Sequence, residues 1–485
     1  MSMKPLRWLA ALVVLGAVFF GPGEAPPAVG ADWPKWRGPN GDGISPEAGA
    51  LLPWGPSGPR ILWQTEVHAG IAGVAVGAGR VFAFGNVADE DRVQCLERTT
   101  GRALWVHGYP ALIGADPYEG GPGATPIFDG RQLYTLGKWG DLFCLDAVSG
   151  AVIWSRHLGS AVGVSLPDWG LLGSPVIVSN RIYLNAGGRG LALDKRTGSN
   201  VWSNLPGKNG YSGCVAYSHA GIPAIAFLGF REALGVAQSD GDVLWAWHWR
   251  TPLDRNFVDP IPYDHGLLLS GTSLPATFID TSNGRPETRW SNPDFQPSRS
   301  PGVVQGRYLF SFSDDTDGAG ALVCIDMEDG TTQWRHDGMV PGSVIGVGGR
   351  LMVLDGRGVL FLVAASPSGY RELARAQVLP PTRTWTPPAY ANGVAYVRNS
   401  SGRLAAIDLP LTPIPALGIR TIGTAVEVSW NPPSTNAFLE YSLPSFPSPQ
   451  VNWQAVPRTQ GTWTTNSFRT QPTSPAAWYR LRIPE

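Results

Sequence analysis

The side chains of this sequence best suited to ligand chemistry fall in loops that lead into apolar strand segments. They are Asp116, Tyr118 and Glu119; Asp168 and Trp169; Lys208 and Tyr211; Arg255, Asn256 and Asp259; Arg299; and Arg383 and Trp385. Carboxylates accept hydrogen bonds, guanidinium and ammonium groups donate them, and tyrosine and tryptophan offer a flat apolar face with a polar edge. A set that mixes both charge signs with aromatic rings suits recognition of a polar ligand. Bond-making chemistry finds less support. Gly210-Tyr211-Ser212-Gly213-Cys214 lacks the final glycine of a nucleophile elbow and reads as a surface turn. Asp314-Asp315-Thr316-Asp317-Gly318 lacks the ligand spacing and distal glutamate of a calcium loop and reads as a solvated turn. The seven histidines never pair at metal-ligand spacing, so no metal site is expected.

Loops so far apart in sequence need a frame that gathers them, and the frame is visible as repetition. Leu142 to Trp154 is an apolar strand, a turn headed by Asp146 and closed by Gly150, and a second strand ending on Trp154. An aspartate at the head of a turn caps backbone N–H groups, and glycine takes positive φ without steric conflict. The same spacing recurs as Glu97, Gly101 and Trp105, as Asp194, Gly198 and Trp202, and as Asp326, Gly330 and Trp334. Looser copies are Gly241 with Trp245, and Asp280, Gly284 and Trp290. Tryptophans at 63, 105, 154, 202, 245, 290 and 334 are 42 to 49 residues apart, the period of a four-stranded propeller blade.

A second phrase opens each unit with a small residue or Pro, alternating apolar positions and a Gly or Asn turn, as in Thr125 to Tyr134, Ser174 to Tyr183 and Ser300 to Leu309. The two phrases together predict an all-β fold with blades near 71–105, 120–154, 170–202, 210–249, 257–290, 299–334, 342–376 and 386–409. That is an eight-bladed β-propeller, or a seven-bladed one if the degenerate fourth unit is no blade. The last unit lacks a terminal tryptophan strand and Arg60 to Gln64 is a strand without a blade, so the N-terminal strand is expected to close the ring. Trp245-Ala246-Trp247-His248-Trp249 reads as an outer strand with its tryptophans on one face, buried between blades.

The remaining segments divide as follows. Residues 1–31 read as a signal peptide, with Lys4 and Arg7 before an apolar run from Trp8 to Phe20 and small residues at Val29-Gly30-Ala31. Residues 32–60 read as a strap whose Trp33 and Trp36 lie against the outside of the fold. The propeller spans 61–409, a proline-rich linker 410–416, and a small β-sandwich 417–485. A net charge of −1 supplies no footprint for nucleic acid, and no later run of apolar residues is long enough to form a transmembrane segment, so an exported protein of the periplasm, exterior or cell surface is expected. Cys95, Cys144 and Cys324 hold equivalent positions in different units, and Cys214 lies elsewhere again, which predicts four buried, unbridged thiols.

Ala192-Leu193-Asp194-Lys195-Arg196-Thr197-Gly198-Ser199-Asn200-Val201-Trp202 resembles the pyrroloquinoline-quinone (PQQ) repeat, whose tryptophan docking motif has the form Ala-x-Asp-x-x-Thr-Gly-x-x-x-Trp. The opening Trp33-Pro34-Lys35-Trp36-Arg37-Gly38-Pro39 is similar to the start of secreted PQQ-like propellers, so the resemblance covers about 32–409; the C-terminal segment is similar to fibronectin-III-like appendages. The resemblance implies that each tryptophan docks one blade on the next. PQQ-dependent dehydrogenases of this kind hold PQQ and calcium on the propeller axis, many beside a disulfide between adjacent cysteines. This chain has no Cys-Cys pair and no Cys-x-x-Cys-His haem motif, and no calcium-ligand or catalytic segment matches. The expectation is therefore a secreted, non-catalytic propeller that binds a protein, polysaccharide or small ligand at its mouth, with no cofactor evident. The alternative is a PQQ- and calcium-dependent dehydrogenase with a divergent site. An assembly scaffold of the outer-membrane lipoprotein kind resembles the fold but would need a lipid-anchor cysteine at the end of the apolar run.

Overall fold

A computed structural model describes residues 30–413, apart from 116–117, 206, 298–299 and 315–319, together with strand segments between 416 and 482. Residues 1–29 of the expected signal peptide and the Asp315 to Gly318 part of the acidic turn lie outside the described residues. Eight four-stranded antiparallel sheets form a propeller. Seven are continuous in sequence: blade 1 spans 75–110, blade 2 127–157, blade 3 176–203, blade 4 215–248, blade 5 261–292, blade 6 303–339 and blade 7 343–377. Blade 8 takes Ala389–Ala391, Val394–Arg398 and Arg403–Asp408 from the end of the propeller and Ile61–Glu66 from its start, with Trp63 opposite Ala406. The degenerate fourth unit is a full blade, and the early strand closes the ring as expected.

Burial follows from this stacking. The second strand of blade 1, Arg80–Val87, is buried along nearly its whole length because neighbouring blades cover both faces, and it reads as the continuous apolar run Val81-Phe82-Ala83-Phe84. The outer strand Ala103–Pro110 keeps the alternation of a half-solvated edge. All four cysteines are buried and unbridged.

Between blades, the repeat residues meet in one geometry. Asp146 Oδ1 accepts from the N–H groups of Val148 and Ser149 at 3.0 and 2.9 Å, and Gly150 turns with φ of 75°. The Trp154 indole donates to the Lys195 carbonyl of blade 3 at 3.1 Å while its ring lies against Gly198, where a Cβ would come within 2.7 Å. Trp63, Trp105, Trp202 and Trp290 repeat this pair of contacts, each donating to a backbone carbonyl of the next blade and covering Gly101, Gly150, Gly241 and Gly330 in turn. Gly101 and Gly330 turn with φ of 71° and 78° and donate to the carbonyls of Glu97 and Asp326 at 2.9 and 2.8 Å, closing their hairpins as Gly150 does.

Two of the repeat tryptophans depart from this geometry. Trp334 keeps only half of it: the indole donates to Ser366 O beside blade 7 at 2.7 Å, but its ring, half-buried, lies between Phe310 and Tyr370 at 6.0 Å from each, and Gly369 meets nothing within 4 Å. The physical reason is that the seventh unit has no glycine turn at the repeat spacing, so a tyrosine covers the ring instead. Trp245 loses the contact altogether, since it donates to Tyr217 of its own blade, and Gly284 meets nothing within 4 Å. Of the three tryptophans in 245–249, Trp245 and Trp249 are buried and Trp247 is half-buried.

The N-terminal strap is a correction to the expectation from sequence. Trp33 and Trp36 do not lie against the outside; the segment crosses the end of the central channel. Trp33 pairs with Val76 of blade 1, Pro34 accepts from Phe128 of blade 2, Arg37 donates to Gly302 beside blade 6, and Ile44 bridges Gly346 of blade 7. The Glu47 carboxylate accepts from the N–H groups of Asn392 and Gly393 in blade 8. The reason is the inner strand of each blade, which is a sheet edge facing the axis with unpaired backbone groups. The strap supplies partners to several of these edges. Gly210 to Cys214 is a second correction. It is buried rather than a surface turn, since it runs into an inner strand at the axis; Ser212 Oγ there accepts from Leu228 N at 3.0 Å. Leu411–Thr412 pairs with Ala50–Leu51.

From residue 414 onward the chain belongs to a separate compact unit. Its strands form two antiparallel sheets, one of four strands (Ala416–Ile422, Ala425–Asn431, Ser467–Thr470, Thr462–Trp463) and one of three (Gln454–Ala455, Phe438–Ser442, Trp478–Arg482).

Candidate functional site

The loops that lead into the inner strands converge on the channel above the strap and enclose a cavity of about 310 Å³. Trp36, Tyr118, Trp169, Tyr211, Phe257 and Trp385 line it, with Ile71 and Leu172 between them and Ser174, Asp259 and Thr272 as its polar side chains. The floor depends on a relay around the axis. Thr125 Oγ1 accepts from Gly73 N at 2.9 Å, and Ser174 Oγ accepts from Thr125 N at 3.0 Å, so a hydroxyl just before a proline ties one blade to the last. In blade 5 that hydroxyl position holds Asp259. Its Oδ1 accepts from Gly213 N at 2.6 Å and plays the hydroxyl's part. Its second oxygen accepts from the Trp36 indole at 2.7 Å and fixes the strap's tryptophan as the cavity floor. Burial raises the Asp259 pKa, opposed by the Trp36 bond and by the charge of Arg37.

Aromatic walls stand on this floor. Trp169 and Phe257 stack at 5.7 Å and 14°, Tyr211 and Phe257 at 5.0 Å and 23°. Cations hold three of the lining rings: Arg255 lies 3.9 Å from the Trp169 ring centre, Arg383 4.7 Å from that of Trp385, and Lys138 Nζ 4.9 Å from that of Tyr118. Lys138 is buried, donates to Gly114 O at 2.7 Å, and has its pKa lowered by desolvation. Arg383 also pairs with Glu119 at 2.8 Å. Tyr118 is 6% exposed, and its hydroxyl is buried without a hydrogen-bond partner.

Five of the residues singled out from sequence thus line one cavity: Tyr118, Trp169, Tyr211, Asp259 and Trp385. Glu119, Arg255 and Arg383 support its rim. Asn256 is fully buried and committed elsewhere: it accepts from Thr251 Oγ1 at 3.0 Å, donates to Gly229 O at 2.7 Å, and its carbonyl receives Tyr211 N, so it shapes two of the loops. Asp168 and Lys208 approach each other at 3.7 Å, and Lys208 faces a separate surface groove with Phe230 and Trp247. Asp116 and Arg299 lie outside the described residues. Sequence reasoning missed Trp36, which looked like an external strap residue, and Phe257, passed over as apolar although it sits in the same loop as Asp259.

The donor set does not fit a calcium ion with a polyanionic quinone such as PQQ. Among the described residues Asp259 is the one carboxylate that lines the cavity, and both its oxygens already accept hydrogen bonds. Among those same described residues no lysine, arginine or histidine lines it to meet acidic groups on a quinone. No group of three or more His, Cys, Asp or Glu placed to hold a metal occurs among the described residues.

The family described as outer membrane protein assembly factor BamB matches residues 89–336 and 231–410, more than half of the chain. Among solved structures, BamB from Moraxella catarrhalis aligns at 15% identity and a TM-score of 0.55, covering 73% of this chain and 100% of its own. Quinohemoprotein alcohol dehydrogenase ADHIIG from Pseudomonas putida HK5 aligns at 13% and 0.57, covering 81% and 83%. A europium-containing methanol dehydrogenase aligns at 12% and 0.55, covering 78% and 89%. Likeness at these identities concerns the fold. No curated protein matches the chain by sequence.

Proposed function

Because this chain belongs to the PQQ-repeat propeller family described as outer membrane protein assembly factor BamB, we propose that it is an exported, non-catalytic binding propeller whose axial cavity is the recognition site. The observation that carries this reading is the cavity itself: six aromatic rings around one buried carboxylate, closed below by Trp36 and reached through the loops. Concave, mostly apolar sites with a few placed polar groups are where folds of this kind bind small ligands or protruding groups of larger ones. The ligand is free or carried on a protein or polysaccharide partner, and the C-terminal sheets serve as a spacer or surface-association module. Residues that recur from blade to blade build the frame, whereas Asp259 and Trp36 occur at the axis once.

The experiment is a titration of the purified full chain with PQQ and Ca²⁺, following absorbance, melting temperature and dye-linked oxidation of alcohols and sugars. The binding reading expects no thermal stabilisation at saturating PQQ and no turnover. Stoichiometric PQQ uptake with turnover refutes it and establishes the dehydrogenase alternative.

A further inference from the structure

Away from the axial cavity, we propose that the groove between blades 3 and 4 is a second recognition site and takes an acidic segment of a partner protein. The groove encloses about 480 Å³. Arg189 enters it from the loop joining the second and third strands of blade 3, and Phe230 and Arg231 from the matching loop of blade 4. Lys208 comes from the connection between the two blades, and Trp247 from the end of the outer strand of blade 4. That connection runs on to Tyr211 in the wall of the axial cavity, so the groove lies at the same end of the propeller.

The sign of the partner follows from where the charges stand. Arg189, Lys208 and Arg231 line the groove against one carboxylate, Glu232. Both Glu232 oxygens accept from Arg189, at 3.0 and 3.3 Å, and the arginine side chain is 51% exposed where the glutamate is 30%. Beneath Arg231, Asp254 accepts from it at 2.8 Å and from Arg250 at 2.7 Å, and is 11% exposed where Arg231 is 53%. The carboxylates are therefore recessed and occupied, while the guanidiniums face solvent with further N–H groups left to donate. The Lys208 ammonium stands 3.7 Å from Asp168, beyond hydrogen-bond distance, and an exposed pair of this kind contributes little. An anion meets open donors here, whereas a cation meets acceptors already taken.

The floor selects the kind of anion. Lys208 Nζ and the Arg231 guanidinium lie 5.8 and 5.0 Å from the Phe230 ring centre, and Trp247 is half-buried beside them. Gly188 and Gly207 bring bare backbone so close that a Cβ on Gly207 would come within 2.9 Å of Gly188 Cα, so the floor between the cations stays low. Tryptophan and arginine are the residues that dominate binding energy at protein interfaces, and the guanidinium fork matches a carboxylate. An inorganic anion would meet the cations and leave the rings uncovered. A peptide whose acidic residues alternate with apolar ones meets both.

The test is fluorescence anisotropy of the full chain with short labelled peptides in which aspartate and glutamate alternate with leucine or phenylalanine. Versions with glutamine or lysine in place of the acids serve as controls, and inorganic phosphate and polygalacturonate as competitors. The acidic peptides should bind about tenfold tighter or more than the glutamine versions, weaken as salt rises from about 50 to 500 mM, and exceed the lysine versions further still. Lys208→Gln with Arg231→Gln should weaken the acidic peptides about tenfold at an unchanged melting temperature, because Asp254 keeps its bond from Arg250. Glutamine versions bound as tightly as acidic ones, acidic peptides indifferent to the double substitution, or silence from every peptide overturns the proposal. Displacement of the acidic peptides by phosphate, or by polygalacturonate more readily than by unlabelled peptide, overturns the protein assignment in favour of a small anion or an acidic glycan. Neither substituted residue lines the axial cavity, so these outcomes are separate from those of the PQQ titration.

Discussion

Replacing Arg398 is the sharpest test of how the ring is held shut. This residue ends the second strand of blade 8, is 1% exposed, and aims its guanidinium at the segment joining the closing strand to blade 1. One terminal nitrogen donates to Ala72 O at 3.0 Å and Phe84 O at 2.8 Å, the other to His68 O at 3.0 Å and Gly70 O at 2.9 Å. Desolvation pulls its pKa down to about 10, so it remains a cation at neutral pH. Hydrogen bonds to a charged group contribute about 1.5–3 kcal/mol each, and four of them outweigh a desolvation penalty of several kcal/mol. Arg398→Met removes all four and leaves their carbonyl acceptors inside the protein. The expected loss is about 3–5 kcal/mol, the range for breaking a buried charged network. Urea unfolding of the full chain should show it as a lower midpoint at unchanged slope. Arg398→Lys keeps the charge but loses the planar fork, and should fall between the two. A loss under about 1 kcal/mol for Arg398→Met would refute the argument, because the carbonyls would then find partners without the guanidinium.

Three further outcomes follow from the same structure. Gly198 and Gly284 hold equivalent turn positions with φ of 68° and 78°, but of the two only Gly198 lies under a tryptophan ring. Gly198→Ala should therefore destabilise by about 3 kcal/mol and Gly284→Ala by only about 1–2 kcal/mol in thermal or chemical unfolding; equal losses would show that the ring contact contributes nothing. Asp91 has its carboxyl raised by burial from 3.8 to about 6, with Asn86 and Tyr109 donating to it. The folded state binds its proton more tightly, so this contribution is full below pH 3.8 and is lost as pH rises through about 6. Asp91→Asn should accordingly gain stability over the parent as pH rises across that window, and a gap independent of pH would contradict the assignment. Burial pushes the thiols of Cys95, Cys144 and Cys324 up to about 12, 11 and 12, so a thiol reagent at mildly alkaline pH should label none of them until the protein unfolds.

Much of the frame was legible because it is written repeatedly. Asp146, Gly150 and Trp154 perform local tasks, capping, turning and covering the next glycine, and local tasks leave fixed spacings. The spacing identifies each hairpin but not what its tryptophan meets: Trp334 has the full motif in its own blade and finds no glycine in the next. Even the closure could be inferred, since Trp63 was a strand without a blade and blade 8 a blade without a strand. The site was only half legible. Asn256 and Asp259 are polar residues of one loop, and loop conformation, which has no period, turned one into a scaffold and the other toward the cavity. The strap was misplaced because two tryptophans announce burial without saying against what. One signal was present in the sequence and went unused. Thr125, Ser174, Ser300 and Thr386 each precede a proline at the start of an inner strand, and Asp259 is an acid in that same position. Aligning the opening phrases for the residue that breaks the pattern would have singled it out.

The closing strand and the strap also set an order of events. Residues 33–66 are made early, yet their partners in blades 6, 7 and 8 lie as late as residue 408. At ordinary rates of synthesis the wait is on the order of tens of seconds. Throughout it, Ile61–Glu66 has no strand to join and blade 1 has no neighbour on one side. A chain cut short anywhere before Arg403–Asp408 keeps that exposed strand edge permanently, which is a template for pairing with other chains. Truncated forms should therefore accumulate as aggregates rather than as smaller propellers, and the protein's proteostatic hazard resides in incompleteness more than in any single substitution.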